Sequence, residues 1–237
     1  MWSGPRNIST AMMRSFENRS DCEVSDEPFY AAFLAKTGLH HPLYREVLKS
    51  QPADWRAVAK TMSGSGPDNC AIWYQKHMCH HMLGGFGLDW ADHCRNAFLV
   101  RDPRDVLASY VRKHDHVDLD AIGVRRQSEI FDRFAQRTGR APSVVDTSDV
   151  LANPRGLLSA LCRALDIPFS ERMLEWAAGK RDSDGVWAPA WYDVVEKSTG
   201  FAEAKEQVHN LPADLQRFAD QAQPFYESMA QYRLEPV

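Results

Sequence analysis

A chain of 237 residues, 44% hydrophobic and 25% charged, is long enough for one α/β domain with a large core or for two small ones. Its net charge of −4 excludes a general attraction to nucleic acid or acidic membranes, so any anion site has to be local. No apolar run approaches the roughly 18 residues of a membrane span, and the amino terminus lacks the regions of a signal peptide.

The first element in the chain is a turn, Ser3-Gly4-Pro5-Arg6-Asn7-Ile8-Ser9-Thr10, running into a helix over 9–19. Gly4 suits close approach to a ligand, Pro5 stiffens the turn, and Ser9 or Thr10 suits a helix cap. Backbone N–H groups at such a helix start attract an anion, and Arg6 adds a planar fork for phosphate or sulfate oxygens. An ordinary N-capped surface helix is the alternative reading. Only Met1 and Trp2 precede Ser3, whereas strands commonly run about five or six residues. The expectation is therefore a first strand mostly missing, with Trp2 its last residue, packed in the core.

Short apolar or β-branched runs follow at 22–25, 70–75, 97–100 and 143–146, each leading into a polar turn and a helical pattern. That alternation predicts an α/β fold with a central, mainly parallel sheet flanked by helices. Helices are predicted over 30–36, 104–113, 119–137, 155–165 and 213–231, the last kinked or broken at Pro224. From about residue 168 the chain reads as helical and looped, continuous with a single domain over 1–237. The five cysteines, Cys22, Cys70, Cys79, Cys94 and Cys162, are odd in number and scattered, which fits reduced thiols in a cytoplasmic protein. His77 to His81 with His93 and Cys94 lack the paired spacing of zinc frameworks, so no metal is expected.

Ligands of such sheets lie beyond the carboxyl ends of the strands. The loop after the run 97–100 opens with Arg101, places Pro103 in the first helical turn and Asp105 where an acid complements the dipole, and carries Ser109 two turns on. A structural Arg101–Asp105 ion pair is the competing reading of this loop.

Together the two loops resemble the signatures of the sulfotransferase family, which uses 3′-phosphoadenosine 5′-phosphosulfate (PAPS). Pro5-Arg6-Asn7-Ile8-Ser9-Thr10 is similar to the family's Pro-Lys-Ser-Gly-Thr-Thr loop around the 5′-phosphosulfate. Arg101, Pro103, Asp105 and Ser109 are similar to its 3′-phosphate signature, and Asp149-Val150-Leu151-Ala152-Asn153-Pro154 resembles its Asp-Leu-x-x-x-Pro segment. The resemblance implies a three-layer P-loop-type fold, PAPS as co-substrate, no metal, and a hydroxyl or amine of a small-molecule acceptor as substrate. It implies donor contacts from Pro5, Arg6, Asn7, Ser9, Thr10, Arg101 and Ser109, with Arg6 also stabilising the leaving group. The variant looks closest to a bacterial sulfotransferase-like branch. Ile8 replaces a loop glycine and Arg6 the usual lysine, and the absence of Gly-Lys-Ser/Thr disfavours a P-loop kinase. A catalytically silent nucleotide-binding module is the other alternative, and a homo-oligomer stays open.

Two groups compete for the base. Lys76-His77 resembles the Lys-Thr-His stretch of cytosolic sulfotransferases, although here the two residues are adjacent. Glu27 lies where some bacterial members carry an acid; Pro28 favours an extended backbone there, and Phe29 and Tyr30 offer a half-apolar wall that raises its pKa. The reading favours Glu27, with Lys76 and His77 assisting the transferred group. The aromatic run Gly185 to Tyr192, followed by Lys197, is similar in character to the family's nucleotide-covering loop; Trp187 or Trp191 would stack on adenine or line the acceptor pocket, with core packing expected for at least one of them.

Overall fold

Alternation along very short strands decides the layers of this protein. A computed structural model describes residues 1–67, 70–112, 118–204 and 211–237. Strands β1 (Trp2–Ser3), β2 (Cys22–Asp26), β3 (Ile72–Met78), β4 (Ala97–Val100) and β5 (Ser143–Asp146) form one parallel sheet in the order β2-β3-β1-β4-β5. Successive side chains point to opposite faces. Trp2, Phe98, Val100 and Val144 therefore enter one core layer, with α4 (Trp55–Met62), α5 (Pro103–Tyr110), α6 (Val124–Thr138) and α10 (Ala213–Ala230). Ala97, Leu99 and Val145 enter the other, against α1 (Ser9–Glu17), α7 (Thr147–Ala152) and α8 (Pro154–Ala164). This is the three-layer arrangement expected. A smaller cluster joins α2 (Tyr30–Thr37) and α3 (Tyr44–Ser50) to the segment around α9 (Ala188–Trp191).

Strand β1 lies in the middle of the sheet, with β3 on one side and β4 on the other. Strand order reverses there, so the chain leaving β1 enters the crevice where such sheets bind ligands. The strand is confined to Trp2 and Ser3, and the Trp2 ring is buried, its Nε1 donating to Asn96 Oδ1 at 2.7 Å.

Several boundaries differ from the sequence reading. The run expected over 70–75 forms its strand over Ile72–Met78, which carries Lys76 and His77 inside the sheet and so onto opposite faces. The helix expected from Leu119 starts at Val124 because Gly123 takes φ 70° and Asp118 holds Ala121 N–H in a preceding turn at 2.7 Å. Helix α10 continues through Pro224. The expected helix end at Lys113 lies outside the described residues. Helices α3, α4, α7 and α9 have no counterpart among the helices that the sequence predicts. No helix among the described residues is long and apolar enough to cross a membrane.

Gly4 is needed for packing against the protein's own chain. A Cβ there would stand 2.8 Å from the backbone oxygen of Ile122, a group that cannot swing aside, and Gly4 does not line the cleft described below. Gly4→Ala is therefore expected to lower stability by about 1–3 kcal/mol, the usual cost of overpacking, seen as a lower denaturant midpoint at unchanged slope.

Candidate active site

The loop after β1 is held in a shape that most residues avoid. Arg6 takes φ 63° and Ile8 φ 54°, a left-handed conformation that a β-branched side chain rarely adopts. Three contacts hold it: Asn7 Nδ2 donates to Leu99 O at 3.1 Å, Thr147 Oγ1 donates to Asn7 O at 3.3 Å, and Arg101 Nη1 donates to Arg6 O at 2.7 Å. The expected Ser9 or Thr10 cap does not form. Ile8 is the N-cap and no side chain caps α1, which leaves the first N–H groups of a nine-residue helix for a ligand at the cleft lined by Pro5 to Ala11. The Asn7 side-chain NH2 is spent on β4 and clamps the loop from below, while its Oδ1 is buried without a hydrogen-bond partner.

The second loop closes on the first. Arg6 Nε donates to Ser109 Oγ at 2.9 Å, across 103 residues of sequence. The ion-pair reading of Arg101 has some substance, with its Nε 3.6 Å from Asp105 Oδ2, while the rest of the guanidinium reaches the Arg6 carbonyl. Burial, and then the neighbouring Arg101 charge, hold the Arg6 guanidinium below its ordinary pKa. Two guanidiniums near enough to disfavour each other's charge, beside an uncapped helix start, form a site that an anion would relieve.

Across the cleft a buried cluster gathers at the ends of β2 and β3. Lys76 Nζ donates to Asp26 Oδ1 at 2.7 Å, Glu27 Oε1 at 2.5 Å and Tyr192 OH at 2.9 Å. An ammonium has three N–H bonds, and all are used. Lys76 therefore has no proton for a transferred group; it neutralises and aims the carboxylates. Tyr192 OH donates in turn to Asp26 Oδ2 at 2.6 Å and accepts from Trp187 Nε1 at 3.2 Å. Glu27 sits at φ 41°, which turns its side chain out of the β2 line. Burial raises its pKa, Lys76 opposes that, and Asp26 adds to it. Such a carboxylate is poised to take a proton.

His77 is on the other face of β3 from Lys76. Its ring stacks on Trp2 at 4.7 Å, lies 5.1 Å from Trp90, and does not line the cleft. Parity of the strand, longer than expected, removes it from the site. His81, one 3-10 turn past β3, lines the cleft instead, with Nδ1 3.9 Å from Glu27 Oε2.

The carboxy-terminal segment completes the walls of a cleft of about 640 Å³, from Trp191 and Tyr192 to Lys197 and Phe201. Trp187 is core, edge-on to Tyr30 at 5.1 Å, whereas Trp191 faces the cleft. The buried Arg14 of α1 anchors this segment through Asp184 at 2.6 Å. Asp26, His81 and Tyr192 are the functional candidates that sequence reasoning missed. Tyr192 lay inside the aromatic run already singled out, and His81 inside the histidine cluster weighed only for metal. Among the described residues no group of three or more His, Cys, Asp or Glu is placed to hold a metal ion.

Residues 1–233 match the family described as sulfotransferase domain. Two proteins of Arabidopsis thaliana, named branched-chain-amino-acid aminotransferase-like proteins 2 and 1, are 34% and 35% identical to it over 95% of this chain. The chain spans about 40% of the length of each. Among solved structures, the sulfotransferase domain from the curacin biosynthetic pathway superposes with a TM-score of 0.58 at 17% identity, over 94% of this chain and 95% of that one.

Proposed function

This chain belongs to the sulfotransferase family, and we propose that it moves a sulfuryl group from PAPS to a small-molecule acceptor. The observation that carries the reading is one cleft with two opposed poles. Arg6, Arg101 and Ser109 converge beside the open start of α1, and a buried carboxylate, Glu27, lies in the same cavity. The first pole suits a donor with two anionic groups and a leaving phosphate that gains charge. The second suits removal of the acceptor's proton. The acceptor's heteroatom bonds to sulfur, the bond from sulfur to the bridging phosphate oxygen breaks, and the proton goes to Glu27. Adenosine 3′,5′-bisphosphate leaves with the bonding pair. In this reading the fork of Arg6 stabilises the charge that the leaving oxygen gains.

The test is a calorimetric titration with adenosine 3′,5′-bisphosphate, AMP and ADP. The bisphosphate is expected to bind most tightly, and ADP equal to it would overturn the donor assignment. Arg101→Ala should weaken the bisphosphate by about 1.5–3 kcal/mol, the worth of a charge-assisted contact. AMP should lose much less, only what the released Arg6 loop contributes. Equal losses for both nucleotides would remove Arg101 from the 3′-phosphate. A chain that binds the bisphosphate yet transfers sulfate to nothing in a pooled-metabolite screen would be the silent module instead.

A further inference from the structure

We propose that the buried ion pair of Arg14 and Asp184 is a positioning device for the transfer step. It ties the helix at the donor end of the cleft to the segment 181–192, and so holds the Tyr192 hydroxyl on the Asp26–Lys76 pair that aims Glu27. The inference rests on the sulfotransferase reading of the cleft and concerns how its base is kept in place.

Stability does not account for the pair. The Arg14 side chain is 1% exposed, with Nη2 2.6 Å from Asp184 Oδ1 and donating to Oδ2 at 2.7 Å. Nη1 donates to Glu17 Oε2 at 3.1 Å. Taking such charges out of water costs about what their attraction returns, and apolar side chains of similar volume commonly serve as well or better. Met12, Met13 and Phe16 of the same helix fill this layer in that ordinary way. What apolar contacts lack is direction, which a planar guanidinium fork supplies.

Direction is what the segment beyond it needs. From Ala177 to Val186 no apolar side chain is buried, so packing does not fix this stretch. Asp184 does. Its Oδ2 also accepts from Arg181 N–H at 2.9 Å, and its own N–H donates to Arg181 O at 3.1 Å, closing a turn on the guanidinium. Ser183 Oγ donates to Glu17 Oε1 beside it. The chain of bonds then runs unbroken to the base cluster. Gly185 N–H donates to Asp26 Oδ2 at 3.2 Å, Tyr192 N–H to Ala188 O at 2.8 Å, and Trp187 Nε1 to Tyr192 OH at 3.2 Å. A Cβ at Gly185 would stand 2.1 Å from the Trp187 ring, so the backbone leaving the tie has room for one shape only. Tyr192 OH ends the chain on Asp26 and Lys76.

The same helix turns its open N–H groups to the donor around Ser9, five residues or about 7.5 Å before Arg14. Over that length α1 is a rigid rod. The donor loop and the base cluster therefore take their spacing from one element, and Arg14 is where the second of them is attached. In-line transfer depends on such spacing, since a misplacement of about 1 Å can cost 10²-fold.

The experiment uses the full chain with ¹⁵N-labelled backbone and lysine, saturated with adenosine 3′,5′-bisphosphate. Hydrogen exchange is followed at Gly185 N–H and at the Lys76 ammonium, against the amides of Leu99 and Val145 in the core. Arg14→Met alone strands Asp184 without its cation and loses stability whatever the pair is for. The deciding variant is Arg14→Met/Asp184→Leu, which replaces the pair by apolar groups and is expected to keep its denaturant midpoint. Relative to the core amides, the Gly185 and Lys76 protons should exchange roughly tenfold faster or more, the worth of one hydrogen bond. A general loss of stability moves core and segment together and leaves that ratio alone. Unchanged exchange at both sites, or acceleration no greater than that of the core, overturns the positioning role by itself. Failure of the bisphosphate to bind the unaltered protein overturns the sulfotransferase reading, and the catalytic purpose of the tie with it.

Discussion

Glu27→Gln is expected to bind adenosine 3′,5′-bisphosphate as the unaltered protein does and to transfer sulfate at least about 10²-fold more slowly. The amide keeps the volume and the oxygen that accepts from Lys76, so the buried cluster survives. What it loses is the ability to take a proton. The pH profile should show the same group. Burial, the largest influence, raises the Glu27 pKa above the ordinary 4.5, with Asp26 adding to the rise and Lys76 opposing it. A base works deprotonated, so kcat/KM should climb with pH through a value above that of a free glutamate. Stability runs the other way. A group with a raised folded-state pKa contributes fully below its unfolded value and loses that contribution as pH rises through the folded one. Denaturant melts should therefore show a falling component above pH ~4.5 that Glu27→Gln removes. Near-normal turnover in Glu27→Gln would take the base role from Glu27.

Most of the scaffold was legible because it rests on local patterns. Ala97 to Val100 is a continuous apolar run, Ser143 to Asp146 centres on a pair of buried valines, and both strands were placed to the residue. The two polar loops, proposed above to bind the donor's anionic groups, drew notice through residue types and spacing, and the structure brings Arg6 into contact with both Arg101 and Ser109. The other pole depends on a strand's length. Three more residues at the end of β3 put Lys76 in the cleft and His77 under Trp2, and no local signal past Gln75 marks that extension. Parallel pairing with β2 does, through the register Ser25 to Gln75 and Asp26 to Lys76, a contact across fifty residues of sequence. Tyr192 was illegible for a similar reason. Only the fold brings a hydroxyl 116 residues away onto the Lys76 ammonium. The αL turns at Arg6, Ile8 and Glu27 carry none of the glycines that normally announce them.

Lys76→Met should be the most damaging single change in the cluster, and its pattern separates two roles for the lysine. Removing the ammonium leaves Asp26 and Glu27 buried without their shared cation, a loss of about 3–5 kcal/mol by analogy with broken buried ion pairs. Asp26 keeps the Tyr192 hydroxyl and the Gly185 N–H, so most of the penalty falls on Glu27. Neutralising Glu27 should then restore stability. The double variant Lys76→Met/Glu27→Gln is expected to be more stable than Lys76→Met alone, with a coupling above about 1 kcal/mol, while turning over no faster than Glu27→Gln. In Lys76→Met itself the acid limb of kcat/KM should move further up in pH, because the positive charge that opposed the rise in the Glu27 pKa is gone. A lysine that donates to the transferred sulfuryl group gives a different pattern. Its loss would slow turnover with the acid limb unmoved and with no recovery of stability on neutralising Glu27. Chemical denaturation of the four proteins in the cycle, with pH profiles of the two active ones, distinguishes these patterns. With all three N–H bonds on Asp26, Glu27 and Tyr192, the geometry favours the first.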